Sequence, residues 1–357
     1  MSLQALEIEG LRCLRPFQGV LHPHINLITG ANGAGKTSLL EAIYLLGRGR
    51  SFRTRHTERL IAHDKSDLMV FGRTLDGADE ATGTRHAIGV GYHRANGLQV
   101  RIDGRDARSI AELAEAFPVQ VVDPGIHRLV EEGPTYRRRW LDWGVFHVEP
   151  GFVASWAAYT RALRQRNAAL KMGGDPAPWE IELARLGEEL TLTRARTVQA
   201  LKPWWSETLK ALLGEPVELS FFRGWSQEET LAESLVAHRQ RDRERGTTGV
   251  GAHRFDVVLK LNGRTAREVL SRGQQKLLGA AMALSMARLA GGEGRRAPTL
   301  LLDDPAAELD REHTEALLNE VRVMRAQLIV TALQPQLTPF TSPDQTFHVE
   351  HGRVTTL

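Results

Sequence analysis

The period of the apolar positions changes several times along the chain, and each change marks an element. "INLIT", Ile25 to Thr29, is a nearly unbroken apolar run, as in a strand buried on both faces. A glycine-rich break follows, and then "SLLEAIYLL", Ser38 to Leu46, spaces its apolar residues as a helix does. "HAIGVGYH" and "LQVRIDG" read as hairpin strands with glycine turns. From about residue 120 the period is mostly helical. Phe152, Trp156, Tyr159, Leu163 and Leu170 share one face of a long helix. After the break "MGGDPAP", a second long helix carries Leu183, Leu186, Leu190, Leu201, Trp205, Leu209 and Leu212. The pair is expected to form a helix hairpin, with Pro203 kinking or splitting its second arm. "RQRDRERGTTGVG" is charged and then glycine-rich, which predicts a loop or mobile connection. Strand patterns return in "FDVVLKLNG", "TLLLDD", "QLIVTAL" and "TFHVEHGRV".

Composition narrows the class. The 357 residues leave room for about two domains, and 42% hydrophobic with 25% charged residues is ordinary for a globular protein. A net charge of +3 permits nucleic-acid binding without requiring it. The one cysteine, Cys13, excludes a disulfide within the chain and argues against a cysteine zinc site. The expected compartment is the reducing cytoplasm. "MSLQALEIEGLRCL" carries Glu7 and Glu9 and does not read as a signal peptide. No apolar run approaches the roughly 18 residues of a membrane span.

Chemistry concentrates in three motifs. Gly30-Ala31-Asn32-Gly33-Ala34-Gly35-Lys36-Thr37, followed by Ser38, fits G-x-x-x-x-G-K-[ST] between a strand and a helix. The glycines let backbone N–H groups approach phosphate oxygens, the helix start favours anions, Lys36 meets the β- and γ-phosphates, and the Thr37 hydroxyl suits Mg²⁺. In "TLLLDDPAAELD", the buried strand ends on Asp303 and Asp304, at the carboxyl edge where open α/β sheets bind ligands. Asp303 is the expected second Mg²⁺ residue, and Asp304 is placed to orient or deprotonate an attacking water. Asp310 reads either as a helix-start acid or as a residue facing a second subunit. The third motif is Ser271-Arg272-Gly273-Gln274-Gln275, a further anion-seeking helix start. Because the phosphate loop already surrounds one nucleotide, a second such end predicts closure on the nucleotide of another copy, in a two-fold dimer. Gln120 in "PVQVVDP" reads equally as a Mg²⁺-linked Q-loop residue and as a strand-end polar residue.

These segments, with "GRGRSFRT", "EEGPTYRRRWLD" and "RQRNAALK", resemble the RecF family of ABC/SMC-like ATPases over the whole chain. The resemblance implies an α/β, P-loop ABC-type head like those of Rad50 and SMC proteins, with a helical second lobe and no long coiled coil. The expected division is an ATPase lobe over 1–115, a helical lobe over 116–254, and a signature helix with return to the ATPase lobe over 255–357. It further implies ATP and Mg²⁺ as ligands, ATP-dependent homodimerisation, DNA binding with weak turnover, and work with RecR and RecO in loading RecA at gaps. Three positions depart from the wider pattern. Asp304 stands where most ABC ATPases have glutamate, which agrees with slow hydrolysis. "GAHRFD" lacks the proline and first aspartate of the related Gly-Pro-His-Arg-Asp-Asp segment. Thr331 and Ala332 lie where many ABC ATPases carry a switch histidine, so a weaker or differently built γ-phosphate sensor is expected.

Two arginine groups are candidates for DNA phosphates: Arg48, Arg50 and Arg53 with Arg55, and Arg137 to Arg139. For the triplet, Trp140, Leu141 and Asp142 favour a helix packed and paired locally. No zinc finger or RNP motif points to base readout. The competing functional classes are an ATP-switched DNA clamp, an ABC transporter nucleotide-binding subunit and a non-hydrolysing SMC-like scaffold. The helical insert, Asp304 and the missing histidine favour the first over the second.

Overall fold

The computed structural model describes residues 1–77, 83–292, 295, 297–334 and 343–357. They form two compact units, 1–126 with 280–357, and 127–279. The boundaries fall later than the expected 115 and 254, for a reason visible in the strand pairing. Val119–Val122 pairs in parallel with Thr299–Leu302, so the first crossing comes only after it. Glu218–Phe222, Asp256–Leu261 and Arg264–Thr265 make a small antiparallel sheet inside the second unit, which delays the return.

The first unit is built from two six-stranded sheets. One is parallel but for its edge. Across it run Arg353–Thr356, Gln345–Glu350, Ile25–Thr29, Leu328–Ala332, Thr299–Leu302 and Val119–Val122. Its central runs are fully buried, which explains their lack of alternation. The other sheet is antiparallel and begins with Ser2–Glu9, paired to Phe17–Val20 and Asp67–Asp76. In Ser2–Glu9, Leu6 and Ile8 are buried while Glu7 and Glu9 are not, the period of a half-buried strand. The helix Lys36–Arg48 packs on strands of both sheets, so its buried residues run almost all round it. Gly47 is required by that packing: a Cβ there would lie 2.4 Å from the Phe117 carbonyl oxygen and 2.5 Å from Val119 Cγ1.

In the second unit the helices Phe152–Lys171 and Ala177–Leu212 pack side by side as the expected hairpin. One expectation fails, and a second fails in one of its two forms. Trp156 is 46% exposed; the buried face runs instead through Phe152, Tyr159, Ala162, Arg166 and Leu170. Pro203 does not split its helix, which continues for 36 residues. Pro203 is exposed between buried Leu201 and Trp205, on the side of the helix turned to water.

The charged segment read as a mobile loop is a third difference. Arg239–Arg245 is a helix closed by Gly246 at φ 64, and its Asp242 is 1% exposed. Arg166, fully buried, donates from Nη1 to Asp242 Oδ2 and Thr248 Oγ1, both at 2.8 Å, and from Nη2 to Glu180 Oε1 at 3.0 Å. Arg239 donates to the other Glu180 oxygen at 2.5 Å. Two guanidiniums and two carboxylates thus neutralise one another inside the unit, and composition alone conceals this because it cannot tell a solvated charge from a paired one. Asp242→Ala should lower the unfolding free energy by about 3–5 kcal/mol by stranding Arg166. Arg243→Ala, on the half-exposed side of the same helix, should cost under about 0.5 kcal/mol. Denaturant titration of both variants checks the contrast, and two near-zero values would show the cluster to be solvated.

Candidate nucleotide site

The phosphate loop joins Ile25–Thr29 to the helix Lys36–Arg48. Its conformation depends on glycine at two tight points. Gly30 has φ 150, and a Cβ there would lie 2.2 Å from the Val349 carbonyl oxygen. Gly35 has φ 119 and packs on Leu14 and Cys13. Ala31, Asn32 and Gly33 form an exposed apex. Lys36 is buried and donates from Nζ to the Gly30 and Ala31 carbonyls at 2.7 and 3.1 Å, so its charge is folded back under the loop that would enclose a phosphate. Ser38 is buried, its hydroxyl 3.9 Å from Cys13 Sγ.

The second motif arrives beside the first because Leu328–Ala332 lies between the two strands that carry them. Thr37 Oγ1 donates to Asp303 Oδ1 and Oδ2 at 3.0 and 3.1 Å. Thr331 Oγ1 donates to Asp303 Oδ1 at 2.9 Å and accepts the Asp304 N–H at 2.8 Å. Burial raises the Asp303 pKa, while hydrogen bonds from Thr331 and Thr37 act against it. Asp304 sits at φ 48, ψ 55, immediately before the short helix Pro305–Glu308, and its carboxylate makes no cap bond to that helix. Among the described residues no three His, Cys, Asp or Glu cluster as a metal cage. The pair Thr37 and Asp303 offers hard oxygen donors only, and a buried carboxylate gains from a nearby cation; both features fit Mg²⁺ completed by phosphate and water.

An open groove of about 850 Å³ adjoins the loop. Arg12, Cys13 and Leu14 line one part of it, and Ala62, His63 and Asp64 another. Cys13 and Leu14 also lie beside Gly35 of the phosphate loop, within 3.4 Å of where a Cβ on it would stand.

The RecF/RecN/SMC N-terminal domain model matches residues 2–355. The DNA replication and repair protein RecF of Pseudomonas aeruginosa LESB58 is 40% identical, over 99% of this chain and 97% of its own length. That of Pseudomonas fluorescens SBW25 is also 40% identical, over 99% and 98%. The chain belongs to the RecF/RecN/SMC family. Among solved structures, the recombination mediator protein RecF with ATP, in the RecFOR pathway, superposes with a TM-score of 0.89 at 25% identity, covering 100% of this chain and 97% of that one. An Smc head bound to a ScpA domain superposes at 0.63 and 17% identity, covering 100% and 98%, which supports the head fold alone. Among the described residues no helix is long and apolar enough to cross a membrane.

Other expected site residues of this family member lie as follows. Gln120 is inside its strand, in register with Leu300, while Asp303 is bonded to the carbonyl of Val122 two residues on. It is therefore not gathered to the Thr37–Asp303 pair, and the strand reading describes it. Asp310 caps the helix Arg311–Val323 by accepting the His313 N–H at 2.9 Å, and is exposed. Ser271 and Gln274 form a reciprocal cap: the Gln274 N–H donates to Ser271 Oγ at 3.3 Å and the Ser271 N–H to Gln274 Oε1 at 3.0 Å. Buried Gln275 donates to the Arg267 and Leu270 carbonyls. Local structure thus accounts for three residues of this motif that sequence alone assigned to an outside anion. Arg272 and Gly273 are exposed, and a Cβ at Gly273 would meet no atom of the chain within 4 Å.

Of the arginines, Arg48 is half-buried, 5.8 Å from the Tyr44 ring centroid, and burial lowers its pKa. Arg50 is exposed, and Arg53 is half-exposed, with Nη1 3.6 Å from Glu41. Arg137 makes a two-pronged pair with Asp256 at 2.9 Å, and Arg138 donates to the Phe255 carbonyl, the local pairing that Trp140 and Leu141 suggested. In "GAHRFD", His253 bonds Tyr159 OH at 2.8 Å, and burial lowers its pKa to about 4, a packing role. Sequence reading missed Glu41. It is fully buried and held by Arg12 at 2.6 and 2.9 Å and by Ser51 at 2.5 Å. An acid inside the apolar run "LLEAIYLL" was its signal.

Gly30→Ala should weaken nucleotide binding about 10- to 100-fold through strain of about 1–3 kcal/mol. Gly33→Ala, at φ 78 with open space around it, should cost about tenfold or less. Calorimetric titration with ATP measures both, and equal losses would contradict the Val349 contact as the controlling constraint.

Proposed function

We propose that this chain binds ATP with Mg²⁺, closes as a homodimer on DNA and hydrolyses the nucleotide slowly, serving recombinational repair and replication in the cytoplasm. The observation that carries the reading is the meeting of Thr37 with Asp303, 266 residues apart in sequence, at the open edge of one parallel sheet. The phosphate loop and Lys36 hold the β- and γ-phosphates, and the groove beside Cys13 and Leu14 takes the base and ribose. Mg²⁺, held by Thr37 and, through water, by Asp303, would offset phosphate charge. Asp304 orients a water and takes its proton as the water oxygen bonds to the γ-phosphorus; the bond to the ADP oxygen breaks, leaving ADP and phosphate. A shorter carboxylate than glutamate at this point supports slow turnover. The likeness to a recombination mediator RecF of the RecFOR pathway supports joint work with RecO and RecR, and loading of RecA at gaps is part of the same proposal.

The shared active site rests on Gly273. Exposed glycine with open space above it is not required by the chain's own packing, and it allows close approach of an external phosphate beside Arg272. Ser271 and Gln274 then act by fixing that helix start. Lys36→Met and Ser271→Arg homodimers should each be inactive, because both composite sites in each are broken. Mixing them should restore some DNA-stimulated ATPase activity, from the site that joins an intact phosphate loop to an intact signature. No recovery, with a wild type that stays monomeric in sedimentation at saturating ATP and DNA, would refute the shared site.

DNA contact falls to Arg50 and Arg53, because Arg48 is committed to Tyr44. Replacing both by Ala should weaken duplex binding and reduce the slope of log affinity against log salt by about two, while Arg48→Ala changes the slope by less than about half a unit. Fluorescence anisotropy across salt concentrations reads the slopes; an unchanged slope in the double variant removes these arginines from the DNA face.

A further inference from the structure

Thr331 is a side chain that the phosphate-loop chemistry does not name, yet it touches both carboxylate residues of the site. It is fully buried at the carboxyl end of Leu328–Ala332, between the strand of the phosphate loop and the strand of the aspartates. One hydroxyl has one proton and two lone pairs. Here the proton goes to Asp303 Oδ1 at 2.9 Å, and a lone pair receives the Asp304 N–H at 2.8 Å. The first bond holds a carboxylate that burial disfavours. The second pins the backbone of a non-glycine residue at φ 48, a conformation that sets where the Asp304 carboxylate points. Thr37, the other donor to Asp303, is the residue that would turn to a cation. Thr331 is then the donor that stays.

We propose that Thr331 is a positioning residue that couples the cation-binding aspartate to the water-orienting aspartate, in place of a histidine at this strand end. The inference rests on the hydrolytic reading above for its kinetic consequence, but not for its binding consequence. Loss of the hydroxyl loosens Asp303 and frees Asp304 together. A partner that orients a cation-binding group is typically worth about 10- to 100-fold in metal affinity or activity.

The test compares Thr331→Val, which keeps the shape and removes the hydroxyl, with Thr331→Ser, which keeps the hydroxyl. Binding of a fluorescent, non-hydrolysable ATP analogue is titrated with Mg²⁺, and kcat is measured separately with ATP. In the valine variant the Mg²⁺ concentration for half-maximal tightening should rise about tenfold, and kcat should fall about 10- to 100-fold. Analogue affinity without Mg²⁺ should stay within about twofold, because the phosphate loop is untouched. Serine should restore both quantities to within about threefold of wild type. Thermal unfolding without nucleotide checks folding; if valine does not fold, Thr331→Ala takes its place in the comparison. A valine or alanine variant with wild-type Mg²⁺ dependence and kcat overturns the proposal, and so does a serine variant as impaired as valine. If the wild type binds the analogue but turns over no ATP, the hydrolytic reading fails by itself, and the Mg²⁺ midpoints alone then decide the role of Thr331.

Discussion

The structure of the first unit depends on burying the helix that begins with Lys36 and Thr37. Packed on strands of both sheets, it has almost no solvent face, yet its first turn must stay open to a ligand. Apolar residues satisfy most of this: Leu39, Leu40, Ile43, Leu45 and Leu46 are within 2% of complete burial, each costing about 2–5 kcal/mol if cut to alanine. Two charges are carried into the same environment, and each has its own answer. Lys36 is tied to two loop carbonyls. Glu41 is tied to Arg12 and Ser51, and Ser51 in turn accepts the N–H groups of Arg53 and Thr54. The loop after the helix, the link between Ser2–Glu9 and Phe17–Val20, and the phosphate loop are thereby fixed to one buried rod.

That constraint also explains the order of the chain. A helix enclosed between sheets needs strands on both sides of Ile25–Thr29, and those strands, Leu328–Ala332 and Gln345–Glu350, come from the far end of the sequence. The catalytic candidates are local in sequence but become a site only through this long-range pairing. It follows that the phosphate loop cannot be separated from the last thirty or so residues without losing the strand that bears Thr331.

The parts legible in the sequence were those where motif and period agree. The phosphate loop sits between an unbroken apolar run and a helical one, and the two aspartates end another such run, so strand, loop and carboxylates were readable together. What failed was whatever depends on which face a residue turns inward. Trp156 matched the helical period but lies one step off the stripe that contains Arg166, and no period counts an arginine as core. The segment around Asp242 looked solvated because the partners of that carboxylate are Arg166, 76 residues away in sequence, and a backbone N–H, that of Gly249, which no side-chain pattern reveals. Gln120 and Ser271 were less legible for a different reason: a polar residue within or beside an element has an ordinary structural use, and only coordinates show the cap that Ser271 and Gln274 form. Thr331 stood out only as an absent histidine. Its two hydrogen bonds arise from a register that brings Leu302 opposite Val330.

The phosphate loop and Asp304 are supported very differently, and the difference bears on the proposed function. The phosphate side is made of backbone groups whose positions follow from glycine geometry and from packing against Val349 and Leu14. Displacing it means repacking the core. The proposed water-orienting residue, Asp304, is in a sparsely populated backbone conformation, without a cap bond to the helix it precedes. Its backbone N–H is held by one hydroxyl. Small shifts there change the aim of a short carboxylate while leaving the phosphate loop intact. On the proposed reading such a site keeps nucleotide long after it would cleave it in a faster enzyme. A long-lived bound state is what a clamp requires, because closure around DNA must outlast the encounter that loads it, and each hydrolysis then ends one closure rather than driving a cycle of work.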